Sequence, residues 1–291
     1  MRSQDRSLRS VAVFYLLAFA VSWSIVIPQA AASRGLINVQ LPGAVGFLSP
    51  LAPMLAAVLM EWRAGGTAEL KRLLRSLLAW RVAPRWYAVV VLGFPLLALV
   101  AVALSFVMTG HRPDLSAGYI HNVFPQFPRN LSPWLLFVPF LVFSIVTTIP
   151  EETGWRGFAL PRLQRSWGPL VASLVVGSLW GLWHLPDFFY LQAAQSGISF
   201  PLFLAGTIST SFFFTWIFNG TGGSLLMVSI LHSSFNAGDV FLPLLPQVTG
   251  TTLQLTLYLA LITAAAVILI VFGRLQLRQS TDTGTAPLED H

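Results

Sequence analysis

"FFYLQAAQSGISFPLFLAGTISTSFFFTWIFNGTGGSLLMVSILHSSFNAG", residues 188–238, runs for 51 residues without a Lys, Arg, Asp or Glu. A helix needs about 20 apolar residues to cross a bilayer core of about 30 Å, so this stretch holds two crossings. Other charge-free stretches lie at 10–33, 35–60, 86–111, 130–150, 166–186 and 240–273. Each is long enough for a crossing. The expectation is an all-α polytopic membrane protein of about eight transmembrane helices, near 11–32, 41–60, 86–109, 133–158, 168–190, 200–217, 224–245 and 252–273. Composition agrees: 55% of residues are hydrophobic and 10% charged, with a mean hydropathy of +0.71. A soluble domain carries about 25% charged residues. Backbone that crosses lipid must satisfy its own hydrogen bonds, and alternating strand patterns are absent, which leaves helices.

The net charge of +6 is distributed as topology. On an eight-helix count one side carries Arg2, Arg6, Arg9, Arg63, Lys71, Arg72, Arg75, Arg81, Arg85, Arg156, Arg162, Arg165, Arg274 and Arg278. The other keeps Arg34, Arg112 and Arg129. The positive-inside rule then puts both termini in the cytoplasm, with the chain in the cell membrane, and gives no reason to invoke nucleic acid. Arginines, an apolar run and Ala30-Ala31-Ala32 resemble a signal peptide, but the run is longer than an ordinary h-region and is read as an uncleaved first helix. The absence of cysteine excludes disulfides and thiolate catalysis. Residues 1–275 read as one membrane domain, and 276–291 as a polar, disordered tail. Residues 66–82, with Leu70, Leu73, Leu74, Leu77 and Leu78 between basic residues, read as an amphipathic helix on the cytoplasmic surface.

Polar groups in a bilayer core are costly, so those that remain there point to function. They are Glu151 with Glu152, His184, His232 and Asn236; Asp187 and Asp239 read as interfacial. In "TTIPEETGWRGFALPRLQ", residues 147–164, Thr148 fits the first position of a capping box, which is the plain reading of the acidic pair. Adjacent helical residues point about 100° apart, so the two glutamates face differently. Arg156, four residues after Glu152, is its partner on one face. Glu151 is left to face a cavity, and Pro150 loosens the helix beside it. His184 follows Trp180 by four residues, and Asn236 follows His232 by four. Each pair projects from one helix face. Taken singly these are as well explained by packing or by interhelical hydrogen bonding. Helix depths allow all three elements to meet in one cavity facing the cytoplasm.

"EETGWR" with Gly157, "WGLWH" and "HSSFN" together resemble the three motifs of the CAAX protease and bacteriocin-processing (CPBP, or Abi) intramembrane proteases. That family includes the type II CAAX prenyl endopeptidases. Its pattern is Glu-Glu-x-x-x-Arg, an aromatic residue with His four later, and His-x-x-x-Asn or Asp; the resemblance covers roughly residues 130–245. Trp180 stands where the family commonly has phenylalanine.

The resemblance implies an intramembrane endopeptidase acting on a membrane-embedded or lipidated substrate. Glu151 would be the general base on a water that His184 helps to hold. His232 and Asn236 would donate to the oxyanion, and Glu152, Arg156 and Trp180 would support them. The family is often classed with metalloproteases, and zinc would take Glu151, His184 and His232. No His-Glu-x-x-His motif is present and an amide is a poor zinc ligand, so the expectation is metal-independent catalysis. The rival readings are a transporter or proton relay, which predicts inverted repeats that are not seen, and an inactive membrane scaffold.

Overall fold

The computed structural model describes residues 2–38, 43–115, 119–123 and 128–272; the proposed tail, with Arg274 and Arg278, lies outside the described residues. Every regular element among those residues is helical. The long ones are α1 (Arg2–Ser33), α2 (Leu51–Gly65), α3 (Thr67–Leu77) and α4 (Pro84–Thr109). A one-turn α5 (Ile120–Val123) precedes α6 (Phe137–Glu152) and α7 (Leu160–Trp183). Then come α8 (Phe200–Gly220), α9 (Leu225–Phe241), the short α10 (Pro246–Thr249) and α11 (Leu253–Phe272).

Among the described residues, six helical runs are long and apolar enough to cross a membrane. One of them, Trp134–Phe189, is 56 residues long, which at about 1.5 Å per residue is far more than a bilayer needs. It breaks at Gly168, whose φ of 75° and ψ of 169° leave the helical region just before Pro169. The expected spans at 133–158 and 168–190 are the two arms of this run. The expected span at 41–60 starts later than its hydropathy suggests. Residues Gly43–Leu48 form a 3-10 turn, and Pro50 caps α2, which is only 15 residues long. The exterior carries large exposed apolar side chains, including Leu16, Val107, Val138 and Phe272. A multi-pass protein that faces lipid accounts for that surface.

The chain shuttles between two ends of the bundle. At the basic end α3 buries Leu73 and leaves Leu74 exposed. Ser224, the N-cap of α9, accepts from the Met227 amide and donates to the Ala79 carbonyl at 2.6 Å. Beside it, buried Glu61 on α2 receives Arg72 from α3 at 2.5 Å and Arg162 from α7 at 2.7 Å. At the opposite end Arg34 donates to the Phe189 carbonyl at 2.6 Å, and Gln247 to the Ala194 carbonyl at 2.5 Å.

Between α6 and α7 the backbone winds as a π-helix over Thr153–Ala159, and all seven residues are buried. This segment is the hub of the aromatic core. Trp155 stacks on Tyr15 of α1 at 5.5 Å, and Phe158 packs on Phe14 at 4.9 Å. Gly154 sits so close to α2 that a Cβ there would lie 2.5 Å from the Pro53 Cβ and 2.9 Å from its backbone. The capping reading of Thr148 is overturned: α6 runs straight through Pro150 to Glu152. The Thr148 hydroxyl instead lies 3.3 Å from the Ser229 carbonyl and 3.2 Å from the Ser233 hydroxyl, tying α6 to α9.

Candidate active site

Three elements bring the singled-out residues together. The C-terminal end of α6 supplies Glu151 and Glu152, the last turn of α7 supplies Trp180 and His184, and the middle of α9 supplies His232 and Asn236. Glu151, Trp180, His184, His232 and Asn236 all line one cavity of about 370 Å³. Its remaining walls are mainly apolar, with Phe140, Phe143, Phe203 and Phe235 among them. That size and make-up suit a small-molecule or peptide segment.

The two glutamates divide as their geometry requires. Glu152 and Arg156 are both fully buried, and Arg156 Nη1 donates to Glu152 Oε1 at 3.1 Å. The same oxygen meets His232 Nδ1 at 2.9 Å. Arg156 also donates to the Ser211 hydroxyl at 3.3 Å and lies over the rings of Phe214 and Trp180, at 4.4 and 5.2 Å. Arg156, expected among the arginines of the basic end, is instead fully buried. It is an interior cation held by a carboxylate and two aromatic faces. A buried charge requires this much compensation.

Glu151 points the other way, into the cavity, and is 8% exposed. Its Oε2 accepts from the Trp180 indole at 3.1 Å. Trp180, expected only as an aromatic support, is thus also the hydrogen-bond partner of the proposed base.

Both imidazoles are tethered through Nδ1. His232 uses Glu152, and His184 uses Asp187 Oδ2 at 2.8 Å. A carboxylate only accepts, so Nδ1 donates in each, and Nε2 is the ring nitrogen left without that carboxylate. Asp187 is therefore not merely interfacial: it fixes the tautomer of His184. The signal for it was its position three residues after the histidine in "HLPD". Asn236 Nδ2 lies 3.5 Å from the Ser144 hydroxyl, a long contact that leaves the amide available to the cavity.

Beyond Glu151 and His232 the lining includes Tyr119, Gln195 and Leu245. Asp239, read as interfacial from the sequence, lines the cavity. As for zinc, no three His, Cys, Asp or Glu side chains among the described residues are gathered as a metal ion needs. Glu151, His184 and His232 all line the cavity, and both Nδ1 atoms are taken by carboxylates.

Residues 133–238 match the family described as Rce1-like, type II CAAX prenyl endopeptidase. The chain is also similar to CAAX prenyl protease 2 of Methanococcus maripaludis, with 28% identity over 153 residues, covering 50% of this chain and 54% of that protein. It thus spans about half the length of the curated relative that it matches.

Proposed function

We propose that this multi-pass membrane protein, whose residues 133–238 match the Rce1-like family, is a CAAX-type (CPBP) intramembrane endopeptidase acting on lipidated substrates. The observation that carries the reading is the position of Glu151. It is a nearly buried carboxylate, facing an apolar cavity, hydrogen-bonded by Trp180 and set among two Nε2 atoms and an amide.

In this mechanism Glu151 removes a proton from a water as the oxygen attacks the scissile carbonyl carbon. Nε2 of His184, held without its proton by Asp187, accepts from the same water and aims it. The carbonyl oxygen gains the negative charge of the tetrahedral intermediate. Asn236 Nδ2 donates to it, and His232 does so as an imidazolium whose charge Glu152 balances. Collapse breaks the C–N bond, and Glu151 returns its proton to the leaving amine. No step is routed through a metal, since an amide such as Asn236 is a poor zinc ligand and suits an oxyanion donor. Both termini lie on the cytoplasmic side, as the arginine distribution supports.

The test is cleavage of a prenylated CAAX-type peptide by detergent-purified protein. Wild type should cleave it, Glu151→Gln should not, and a strong chelator should leave the rate unchanged. Full activity in Glu151→Gln rejects the mechanism, and loss on chelation restored by zinc rejects its metal-independent form.

A further inference from the structure

The basic end of the bundle carries a face that the reaction does not use. Along α3 and its C-cap, Lys71, Leu74, Arg75 and Leu78 recur at helical spacing on the side away from buried Leu73. Leu74 and Leu78 are 55% and 65% exposed. Trp80, just beyond, is also exposed, with the Arg81 guanidinium over its ring at 5.2 Å. Leucines, tryptophan and cations interleaved in this way suit the headgroup level of a bilayer. The cations come from three helices and a link: Arg63 from α2, Lys71 and Arg75 from α3, Arg81 from the residues before α4, and Arg165 from α7. All five are exposed, and none is ion-paired among the described residues. The α7 cations stand beside α3, since Glu69 feels the charges of Arg162 and Arg165 as well as that of Arg72. The acids of this end are already engaged: Glu61 is buried under Arg72 and Arg162, and Glu69 is held by Arg72. Asp5, at the start of α1, is outnumbered by Arg6 and Arg9.

The inner side of α3 rests on the elements that carry the site residues. A Cβ on Gly157, in the π-wound segment that follows Glu151 and Glu152, would lie 2.9 Å from Leu73 Cδ2. The Ala79 carbonyl, just past α3, accepts from Ser224, the cap of the helix that bears His232 and Asn236. We infer that the outer face of α3, with the cations around it, binds anionic phospholipid headgroups, and that this lipid holds α3 against both elements. A phosphate complements the unpaired cations, and the exposed leucines call for acyl chains beside it. That combination fits a lipid better than a soluble anion or an acidic protein. Arg63 and Arg165 join the α3 cations at one headgroup layer only while α3 is docked. Lipid that binds the docked form more tightly therefore stabilises it. The lipid site stands without the peptidase reading; only its effect on turnover rests on that reading.

The experiment places the full chain in nanodiscs of phosphatidylcholine, alone or mixed with phosphatidylglycerol, and counts the lipid that stays bound on release by native mass spectrometry. Wild type is compared with two basic-end variants, Lys71→Gln/Arg75→Gln and Arg63→Gln/Arg165→Gln. The control, Arg112→Gln/Arg129→Gln, removes the same charge at the opposite end, and each variant is checked for folding by its melting transition. Wild type should retain phosphatidylglycerol preferentially. Each basic-end variant should lose about ten- to thirtyfold of that preference, and the control should keep it. Phosphatidylglycerol should also slow proteolysis within residues 67–77 and raise kcat on a prenylated peptide in wild type but not in the basic-end variants. Both effects should fade at high salt. Equal retention of the two lipids, no loss in the basic-end variants, or an equal loss in the control overturns the site. Inorganic phosphate that protects residues 67–77 as well as the lipid does overturns it in favour of a free anion. Turnover that ignores phosphatidylglycerol while the preference persists overturns the hold on catalysis. Preference with no turnover in any lipid keeps the site and removes the peptidase reading; turnover without preference does the reverse.

Discussion

Trp180 Nε1 donates to Glu151 Oε2 across 3.1 Å, from the position on α7 one turn before His184. The donor orients the carboxylate while the indole, only 3% exposed, fills the cavity wall. Trp180→Phe keeps most of the packing and removes the donor. A hydrogen bond to a charged group is worth about 1.5–3 kcal/mol, so kcat on a prenylated peptide should fall about ten- to a hundredfold with little change in melting temperature. An unchanged kcat would show that the indole serves packing alone.

The Glu152–Arg156 pair is an internal charge couple with no solvent on either side. Removing one partner strands the other, at a cost of about 3–5 kcal/mol. Glu152→Ala and Arg156→Met should each lower the melting temperature sharply, and the double variant should recover part of the loss. A double variant that simply adds the two losses would show that the groups are not coupled.

His184 depends on Asp187 for its tautomer. Asp187→Ala should leave the fold intact, because the aspartate side chain is only partly buried. It should lower kcat at least about tenfold while KM moves little, by analogy with the loss of an orienting carboxylate in a triad. If KM rises and kcat stays, Asp187 contacts substrate rather than orienting the imidazole.

At the basic end, Glu61 is the buried anchor of α3 through Arg72, and of α7 through Arg162. Because Arg72 is about half exposed, Glu61→Ala is expected to cost near the lower limit for a broken buried pair, about 3 kcal/mol. The substitution should also expose residues 67–77 to limited proteolysis. Glu69 sits alongside, and its hydrogen bond from Arg72 holds its carboxyl below the usual value of 4.5. Any support Glu69 gives α3 is present above that pH and is lost as the pH falls below it. Equal protease resistance in wild type and Glu61→Ala would rule out the anchoring role.

Much of the architecture was legible because lipid imposes long uncharged stretches, and 188–238 could only be two crossings. What hydropathy cannot show is where a proline delays a helix, as Pro50 does, or where a glycine breaks one run into two, as Gly168 does. The pairing of Glu152 with Arg156 followed from their spacing of four, since both lie on one helix. The contacts of Glu152 with His232 and of Glu151 with Trp180 join different helices, and no local spacing encodes them. Arg156 looked like a topology signal because charge counting treats every arginine as wet. Glu61 was passed over for the opposite reason: it closes a charge-free stretch and reads as a helix end, whereas its partners sit 11 and 101 residues away.

The π-wound segment Thr153–Ala159 adds a consequence for how this chain can change. Hydrogen bonds that skip five residues rather than four take up one residue more than α-winding would. The helical arms before and after it are therefore set out of phase, by about 100° for one residue. That offset lets Glu151 face the cavity while Arg162, further along the same run, turns to Glu61 at the basic end. Deleting a single residue such as Thr153 would restore a regular helix with better local bonding, yet rotate one arm against the other. A substitution in this stretch acts at its own site, whereas a change of its length acts on both arms at once.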